Sequence, residues 1–151
     1  MFEPATPTAI LWLLSGYNID LADRSVVIVG RGRLVGGPLE KLLDDIARQV
    51  TVVDKDTSDL KPVLADAQVI ISATGMAGAI AADMIPEGAV VVDAGVSVEA
   101  GVAKGDLAED VYGRDDLKIS AKVGGVGPLT VCALFENVIV AARNSIQTDQ
   151  V

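Results

Sequence analysis

The sequence contains three short, strand-like apolar runs, and each of them leads directly into a glycine. They occupy residues 25–30, 69–75 and 89–95. This arrangement is typical of an open parallel sheet, whose ligands bind in the crevice beyond the carboxyl ends of the strands. A glycine there leaves bare backbone that a ligand can approach closely. The pattern therefore predicts a ligand-binding α/β domain.

The first of these strand ends carries a glycine-rich loop. Gly30, Gly32 and Gly36 follow the strand and precede a helix, with a spacing one residue longer than the common dinucleotide-binding fingerprint. Gly30 allows a tight turn, Gly32 lets a pyrophosphate lie against the backbone, and Gly36 permits close packing of helix on strand. The helix N-terminus offers N–H groups to phosphates. Such a loop can also be an ordinary connector, but its setting favours a dinucleotide site.

Length and composition limit the classes of protein that fit. The 151 residues suit one domain, and 50% hydrophobic with 3% aromatic residues predicts the aliphatic core of a parallel sheet covered on both faces. The net charge of −9 argues against nucleic-acid binding. No uninterrupted apolar run approaches the roughly 20 residues of a membrane span, so we expect no membrane association. The N-terminus does not resemble a secretory signal.

The cysteine and histidine content of the chain limits which catalytic and metal-binding chemistry it can perform. Cys132 is the only cysteine, which excludes an internal disulfide and fits a reducing cytoplasm. Its apolar helical neighbours predict a buried core thiol. Because the chain has no histidine, Ser–His–Asp and Cys–His catalysis and the commonest zinc ligand are excluded. We therefore expect no metal site and chemistry that depends on a cofactor.

Predicted helices and strands alternate along the chain. Helices are predicted over residues 9–14, 39–46, 60–65 and 128–143, and strands over residues 26–29, 50–53, 69–72 and 90–93. A small hairpin turning at Gly101 follows the fourth strand. This alternation implies right-handed βαβ units and a doubly wound, mostly parallel Rossmann-type sheet. We divide the chain into a linker helix (1–24), the nucleotide-binding domain (25–145) and a flexible tail (146–151).

Six segments, taken in order, resemble a known family. They occupy residues 4–10, 30–38, 65–71, 88–95, 105–106 and 124–130. Together they resemble the nucleotide-binding half of the FolD-type bifunctional methylenetetrahydrofolate dehydrogenases/methenyltetrahydrofolate cyclohydrolases. The combination of Gly-Arg-x-x-x-Val-Gly-x-Pro with Gly-Gly-Val-Gly-Pro-x-Thr is specific. The resemblance implies hydride transfer from 5,10-methylenetetrahydrofolate to NADP, followed by hydrolysis to 10-formyltetrahydrofolate.

The resemblance covers only the C-terminal half of that family. Members carry an N-terminal domain that supplies a catalytic Tyr-x-x-x-Lys motif and most of the folate pocket. Here Tyr17 is followed four residues later by Leu21, and Tyr112 by Asp116. We therefore expect no catalytic residue in this chain and no activity without the missing domain, whether the chain is an excised domain or one half of a split enzyme. Family members are commonly homodimers, so we expect a dimer.

The resemblance also implies cofactor contacts at the strand ends. Arg31 lies where relatives contact the 2′-phosphate of NADP, and Arg33 is a weaker candidate. After the second strand, Asp54 is the carboxylate that NAD-dependent folds use for the ribose hydroxyls, whereas Lys55 can pair with a phosphate. NADP is the preferred prediction and NAD the alternative. The predicted cofactor-binding residues are Gly30, Arg31, Gly32, Arg33, Val35, Gly36, Asp54, Lys55, Thr57, Ala73, Thr74, Gly75, Val96 and Thr130.

The last glycine-rich loop is, in the family, the part of this domain nearest the folate. The predicted substrate-proximal residues are Gly125, Val126, Gly127 and Pro128. Residues 121–123 read Ala-Lys-Val where relatives usually have Pro-Val-Pro, and losing two prolines loosens the loop. Altered substrate use therefore stays open.

Two other functions also stay open. A different NAD-dependent dehydrogenase, such as one acting on amino acids, would share the strand-end glycines but not the Gly-Gly-Val-Gly-Pro-Leu-Thr segment. A non-catalytic nucleotide-binding module would fit a domain that works without a catalytic half.

Overall fold

A computed structural model describes residues 2–54 and 56–148. The strands are β1 (Ser25–Val29), β2 (Gln49–Val53), β3 (Val69–Ser72), β4 (Val90–Asp93), β5 (Ser97–Glu99), β6 (Val102–Lys104) and β7 (Lys118–Ile119). The α-helices are α1 (Ala5–Gly16), α2 (Gly36–Leu43), α3 (Lys61–Leu64) and α4 (Val126–Thr148), and 3₁₀ turns cover Ala82–Met84 and Glu109–Gly113. The prediction of a mostly parallel α/β sheet with a small hairpin is confirmed.

The main sheet has the strand order β2-β1-β3-β4-β7, and every neighbouring pair is parallel. The chain moves outward from β1 to β2 and then crosses back to place β3 on the other side of β1. Ligands of open α/β sheets bind at such a reversal, beyond the carboxyl ends of the strands. The topology therefore directs a ligand to the space between the ends of β1 and β3.

The core lies on both faces of the sheet, because successive residues of a strand point to opposite sides. On one face Ile28 and Ile71 pack with the buried residues of α1 and α2. On the other face Ile70 packs with Leu64 of α3 and with the segment that follows β6. All four of these side chains are fully buried. The two aliphatic layers hold the strand ends in fixed positions.

The hairpin turns at Ala100 and Gly101, which both have positive φ (50° and 78°). Two such residues in a two-residue loop match the twist of the flanking strands. The predicted turn at Gly101 is confirmed.

Strand β7 was not predicted. Lys118 and Ile119 pair with Val90 and Val91 at the edge of the sheet. Two residues are too few to show a periodicity of two, so the pairing depends on the edge that β4 offers rather than on local sequence. At the other end of the chain, α4 continues to Thr148, into the predicted flexible tail. The rest of that tail, residues 149–151, lies outside the described residues.

Helix α4 is exposed over much of its surface. One side packs against α1, where Ala133 is buried. The opposite side exposes Val131, Leu134, Phe135 and Val138 by 51–66%. An apolar circumference is typical of a helix buried on all sides, but here only one side has a partner within the described residues.

The prediction of a buried thiol is wrong, since Cys132 is exposed. It lies in α4 next to Val131, on the uncovered part of the helix. The apolar sequence around it indicated burial, but the neighbour that would cover this side is not among the described residues.

Helix α4 also contains a segment, Val126–Ile146, that is long and apolar enough to cross a membrane by length and composition, with a mean hydropathy of 1.4. Searching for an uninterrupted apolar run missed it because Glu136 and Asn137 interrupt the sequence. A single helix of this kind is weak evidence for membrane insertion, because the core helix of a soluble protein has the same composition.

Replacing Ile28 tests the central role of β1. Its side chain is fully buried, so Ile28→Ala should lower the free energy of unfolding by about 3 kcal/mol. The matched control is Ile146→Ala, because Ile146 is 63% exposed in α4 and alanine favours helix. Urea denaturation followed by circular dichroism measures both changes. Equal losses for the two variants would contradict this account of the core.

Candidate cofactor-binding site

A crevice of about 360 Å³ lies at the carboxyl ends of β1, β2 and β3. It is lined by Gly30, Arg31, Gly32, Asp54, Ala73 and Thr74. All six were predicted to bind the cofactor. Each follows one of the three strands within a few residues, so the register of the parallel sheet brings them together.

Two glycines hold the floor of the crevice together. Gly30 has φ +105°, and a Cβ atom on it would lie 2.5 Å from the Ala73 carbonyl oxygen. A Cβ on Gly36 would overlap the Gly30 carbonyl oxygen. The Gly30 N–H donates to the Val53 carbonyl at 2.8 Å. The loops after β1, β2 and β3 therefore meet backbone to backbone, where a side chain has no room.

Gly32 differs from these packed glycines. A Cβ atom on Gly32 would have no atom within 4 Å, so this part of the loop faces open space in the crevice. Helix α2 begins four residues later, at Gly36. Bare backbone beside a helix N-terminus fits a pyrophosphate. Val35, at the N-cap of α2, is half-buried and packs against the α1 side of the core, so it supports the loop.

Charged side chains of both signs border the crevice. The Arg31 guanidinium lies 3.5 Å from the Glu40 carboxylate and is largely exposed. Asp54 is also exposed, and its Oδ1 accepts a hydrogen bond from the Asp56 N–H at 3.3 Å. Arg33 is exposed but does not line the crevice.

Two further predicted residues follow Asp54. Thr57 is half-buried, and its N–H donates to the Asp54 carbonyl at 3.1 Å, which closes the loop beside the crevice. Lys55 lies outside the described residues.

The loop after β3 borders the loop after β4. Gly75 has φ +68°, and a Cβ on it would lie 3.5 Å from the Val96 carbonyl oxygen. Val96 itself is 73% exposed. The Thr74 hydroxyl accepts a hydrogen bond from the Met76 N–H at 3.1 Å, which helps to close the turn. Thr74, Gly75 and Val96 thus form a continuous rim, of which Thr74 lines the crevice; their contact with a cofactor stays a prediction.

Two carboxylates beneath this rim had no predicted role. Asp106 is fully buried, and Asp93 ends β4. Burial raises the pKa of the Asp93 carboxyl; N–H donors from Gly95, Asp106 and Leu107 oppose the increase, and the negative charge of Asp106 adds to it. Both aspartates lie in segments of the resemblance, 88–95 and 105–106, but neither had been given a role. Which backbone groups they contact depends on tertiary structure.

The remaining predicted residues lie elsewhere. The Thr130 hydroxyl donates to the Val126 carbonyl at 3.3 Å and lies 3.4 Å from the Thr6 hydroxyl, between α4 and α1. It does not line the crevice. The Val126 side chain is buried in the core with α1, so it does not face a ligand. Gly127 and Pro128 are exposed in the first turn of α4.

Gly125 lines a second cavity, of about 410 Å³, which shares no residue with the crevice. This cavity is mostly apolar and lies between α1, β4 and β7, where Leu13 and Tyr17 contribute to its wall. A Cβ on Gly125 would lie 2.6 Å from the Ala121 carbonyl oxygen. Close backbone approach therefore explains this glycine without a ligand.

Known proteins share this arrangement. The sequence model of the tetrahydrofolate dehydrogenase/cyclohydrolase NAD(P)-binding domain matches residues 4–146. The chain belongs to this family. The bifunctional protein FolD of Macrococcus caseolyticus is 37% identical over 146 residues, which are 97% of this chain and 52% of the relative. FolD of Staphylococcus aureus is 37% identical over 143 residues, 94% of this chain and 50% of the relative.

Solved structures of this family agree. FolD of Campylobacter jejuni matches with a TM-score of 0.86 and 36% identity over 95% of this chain and 51% of that one. The Trypanosoma brucei enzyme, complexed with NADP and an inhibitor, matches with a TM-score of 0.86 and 31% identity over the same shares. The predicted family is confirmed. The chain spans about half the length of the relatives it matches.

A single methyl group should disrupt the crevice. Gly36→Ala places a Cβ on the Gly30 carbonyl oxygen, so the loop must shift and NADP affinity should fall at least about tenfold. Gly37→Ala is the matched control, because its Cβ would make an ordinary 3.5 Å contact with the Gly32 carbonyl. Isothermal titration calorimetry measures both. Unchanged affinity in Gly36→Ala would show that NADP binds elsewhere.

Proposed function

We propose that this chain is the NADP-binding half of a methylenetetrahydrofolate dehydrogenase/cyclohydrolase. The observation that carries this proposal is the crevice at the β1–β3 reversal, whose glycines leave no room for side chains on its floor and open backbone at Gly32. When bound, NADP supplies the hydride acceptor. The α2 N-terminus of this chain would hold the pyrophosphate, and Thr74, Gly75 and Val96 would hold the nicotinamide side.

The charges around the crevice support NADP over NAD. Arg31 lines the crevice, and its weak, exposed contact with Glu40 is readily exchanged for a phosphate. Asp54, which would favour NAD, uses one carboxylate oxygen to accept the Asp56 amide hydrogen. The other lone pairs of this carboxylate stay open to a ribose hydroxyl, so NAD stays the alternative and the preference for NADP rests on Arg31.

Replacing Arg31 tests this assignment. Arg31→Ala should raise the dissociation constant for NADP about tenfold, which is the loss of one charge-assisted phosphate contact. The dissociation constant for NAD should stay unchanged, because NAD has no 2′-phosphate. Arg24→Ala, at a site remote from the crevice lining, serves as the control. Tighter binding of NAD than NADP by the unaltered chain would overturn the choice of cofactor.

The proton-handling residues of the reaction belong to another domain. Neither tyrosine lines the crevice: Tyr17 is 76% exposed at the end of α1, and Tyr112 lies in the second 3₁₀ turn. Burial, with the charges of Asp93 and Glu109, raises the pKa of Tyr112 to about 12. A hydroxyl with that pKa stays protonated at neutral pH and makes a poor general base.

The exposed apolar side of α4 is the surface on which we infer that the catalytic domain packs. Leu134, Phe135 and Val138 are each more than half exposed there, and single soluble domains rarely expose such a continuous apolar patch. The relatives are about twice as long as this chain, which supports a second domain as the occupant.

We also infer a homodimer in the cytoplasm. Val98 and Val102 of the hairpin are 70% and 60% exposed, and they provide an apolar edge for a second copy. The net charge of −9 and the exposed Cys132 thiol suit a soluble protein in a reducing compartment.

Complementation tests the proposed activity. The chain alone should give no reduction of NADP by 5,10-methylenetetrahydrofolate, whereas mixing it with the isolated N-terminal half of the Macrococcus caseolyticus relative should restore turnover, followed by absorbance at the NADPH band. Phe135→Glu should block complementation but leave NADP binding intact, because a charge on the α4 surface opposes apolar packing. Turnover by the chain alone would contradict the proposal, and NADP binding without complementation would favour a non-catalytic module.

A further inference from the structure

We propose that Asp106 is a positioning residue for the nicotinamide side of the crevice. This inference rests on the proposed function. Asp106 is fully buried and lies behind the loop that follows β3. Its Oδ2 accepts hydrogen bonds from the Ser72 hydroxyl and the Thr74 N–H, both at 2.6 Å, and its Oδ1 accepts the Met76 N–H at 3.1 Å. Three alternate residues at and beyond the end of β3, Ser72, Thr74 and Met76, thus donate to one carboxylate.

Three donors on one carboxylate fix the backbone of a short loop. The Thr74 and Met76 N–H groups are turned inward toward Asp106, so Asp106 fixes residues 74–76 from behind, whereas Ala73 is held by its contacts with the end of β1. Hydrogen bonds to a charged acceptor are shorter and stronger than neutral ones. Thr74 is also a lining residue of the crevice, so any movement of this loop moves the surface that the cofactor contacts.

A second carboxylate holds Asp106 in place. Asp93 Oδ1 accepts the Gly95 and Asp106 N–H groups at 3.0 and 3.1 Å, and Oδ2 accepts the Leu107 N–H at 3.1 Å. A Cβ on Gly95 would overlap the Asp106 carboxylate, and a Cβ on Gly105 would overlap that of Asp93. Each aspartate therefore occupies the space that the opposite glycine leaves, and the two pairs interlock the ends of β3 and β4.

The location of this pair predicts which half of the cofactor depends on it. The glycine loop and the end of β2, with Arg31 and Asp54, serve the pyrophosphate and the adenosine ribose. Asp106 contacts neither; it contacts the loop after β3, on the opposite side of β1 from β2. Loss of the Asp106 acceptors should therefore weaken binding of the nicotinamide half and spare the adenosine half.

Adenosine 2′,5′-bisphosphate, which carries only the adenosine half of NADP, separates these effects. In Asp106→Asn an NH₂ group replaces one carboxylate oxygen. Because both oxygens of Asp106 accept hydrogen bonds, this NH₂ group must face an N–H or O–H donor. The dissociation constant for NADP should rise at least about tenfold and that for the bisphosphate should stay within about twofold, measured by calorimetry on the 151-residue chain. Asp110→Asn, an exposed acceptor for the Ala82 N–H, is the matched control and should change neither.

If Asp106→Asn does not fold, Ser72→Ala decides the question. It removes one donor and leaves the carboxylate, so NADP affinity alone should fall, by about fivefold. Equal losses for NADP and the bisphosphate, or no loss for either, in the variant that folds would overturn the positioning role. Failure of the unaltered chain to bind either ligand would instead overturn the proposed function.

Discussion

The structure depends on the close backbone approach between the loop after β1 and the loop after β3. Gly30 touches Ala73, and Gly36 touches Gly30, at distances that exclude even a methyl group. Because β1 and β3 are adjacent and parallel, this contact lies where the strand order reverses. A crevice floor made of backbone alone offers N–H groups and no bulk, which is what a dinucleotide requires. The aliphatic layers on both faces keep the two strand ends in register.

Helix α4 is packed on one side only within the described residues. Its contact with α1 buries Ala133, but its opposite side leaves apolar side chains and Cys132 in solvent. Leaving several such side chains exposed forgoes about 1.5–3 kcal/mol for each one that a partner could bury fully. The relatives are about twice as long as this chain, and the catalytic domain proposed to pack on this side would supply that burial. The same exposed stripe explains why α4 resembles a membrane span in composition.

Local sequence predicted the strands and turns whose formation depends on residues that are neighbours in the chain. The four longer strands, the glycine turns and the hairpin follow from apolar runs and from glycine in the connecting loops. The six predicted residues that line one crevice were named from the strand-end pattern together with the family resemblance. Strand β7 has no pattern of its own, because its two residues pair only where β4 offers an edge. Burial of Cys132 was inferred from the apolar composition of the helix. A cofactor contact for Thr130 was inferred from the family resemblance. Tertiary packing decides which side of α4 meets α1. That packing leaves Cys132 exposed and turns Thr130 toward Thr6.

The fully buried Asp106 and the half-buried Asp93 show how an acidic chain can bind an anionic cofactor. Among the described residues no cation pairs with the Asp93 or Asp106 carboxylate, and unbalanced negative charge there would repel a pyrophosphate. Each carboxylate instead accepts three hydrogen bonds, five of the six from backbone N–H groups. Those donors spread the negative charge into the loops after β3 and β4 and fix the loops in the same step. Carboxylates can therefore order the rim of the crevice, while the glycine loop and the α2 N-terminus supply the positive potential at its centre.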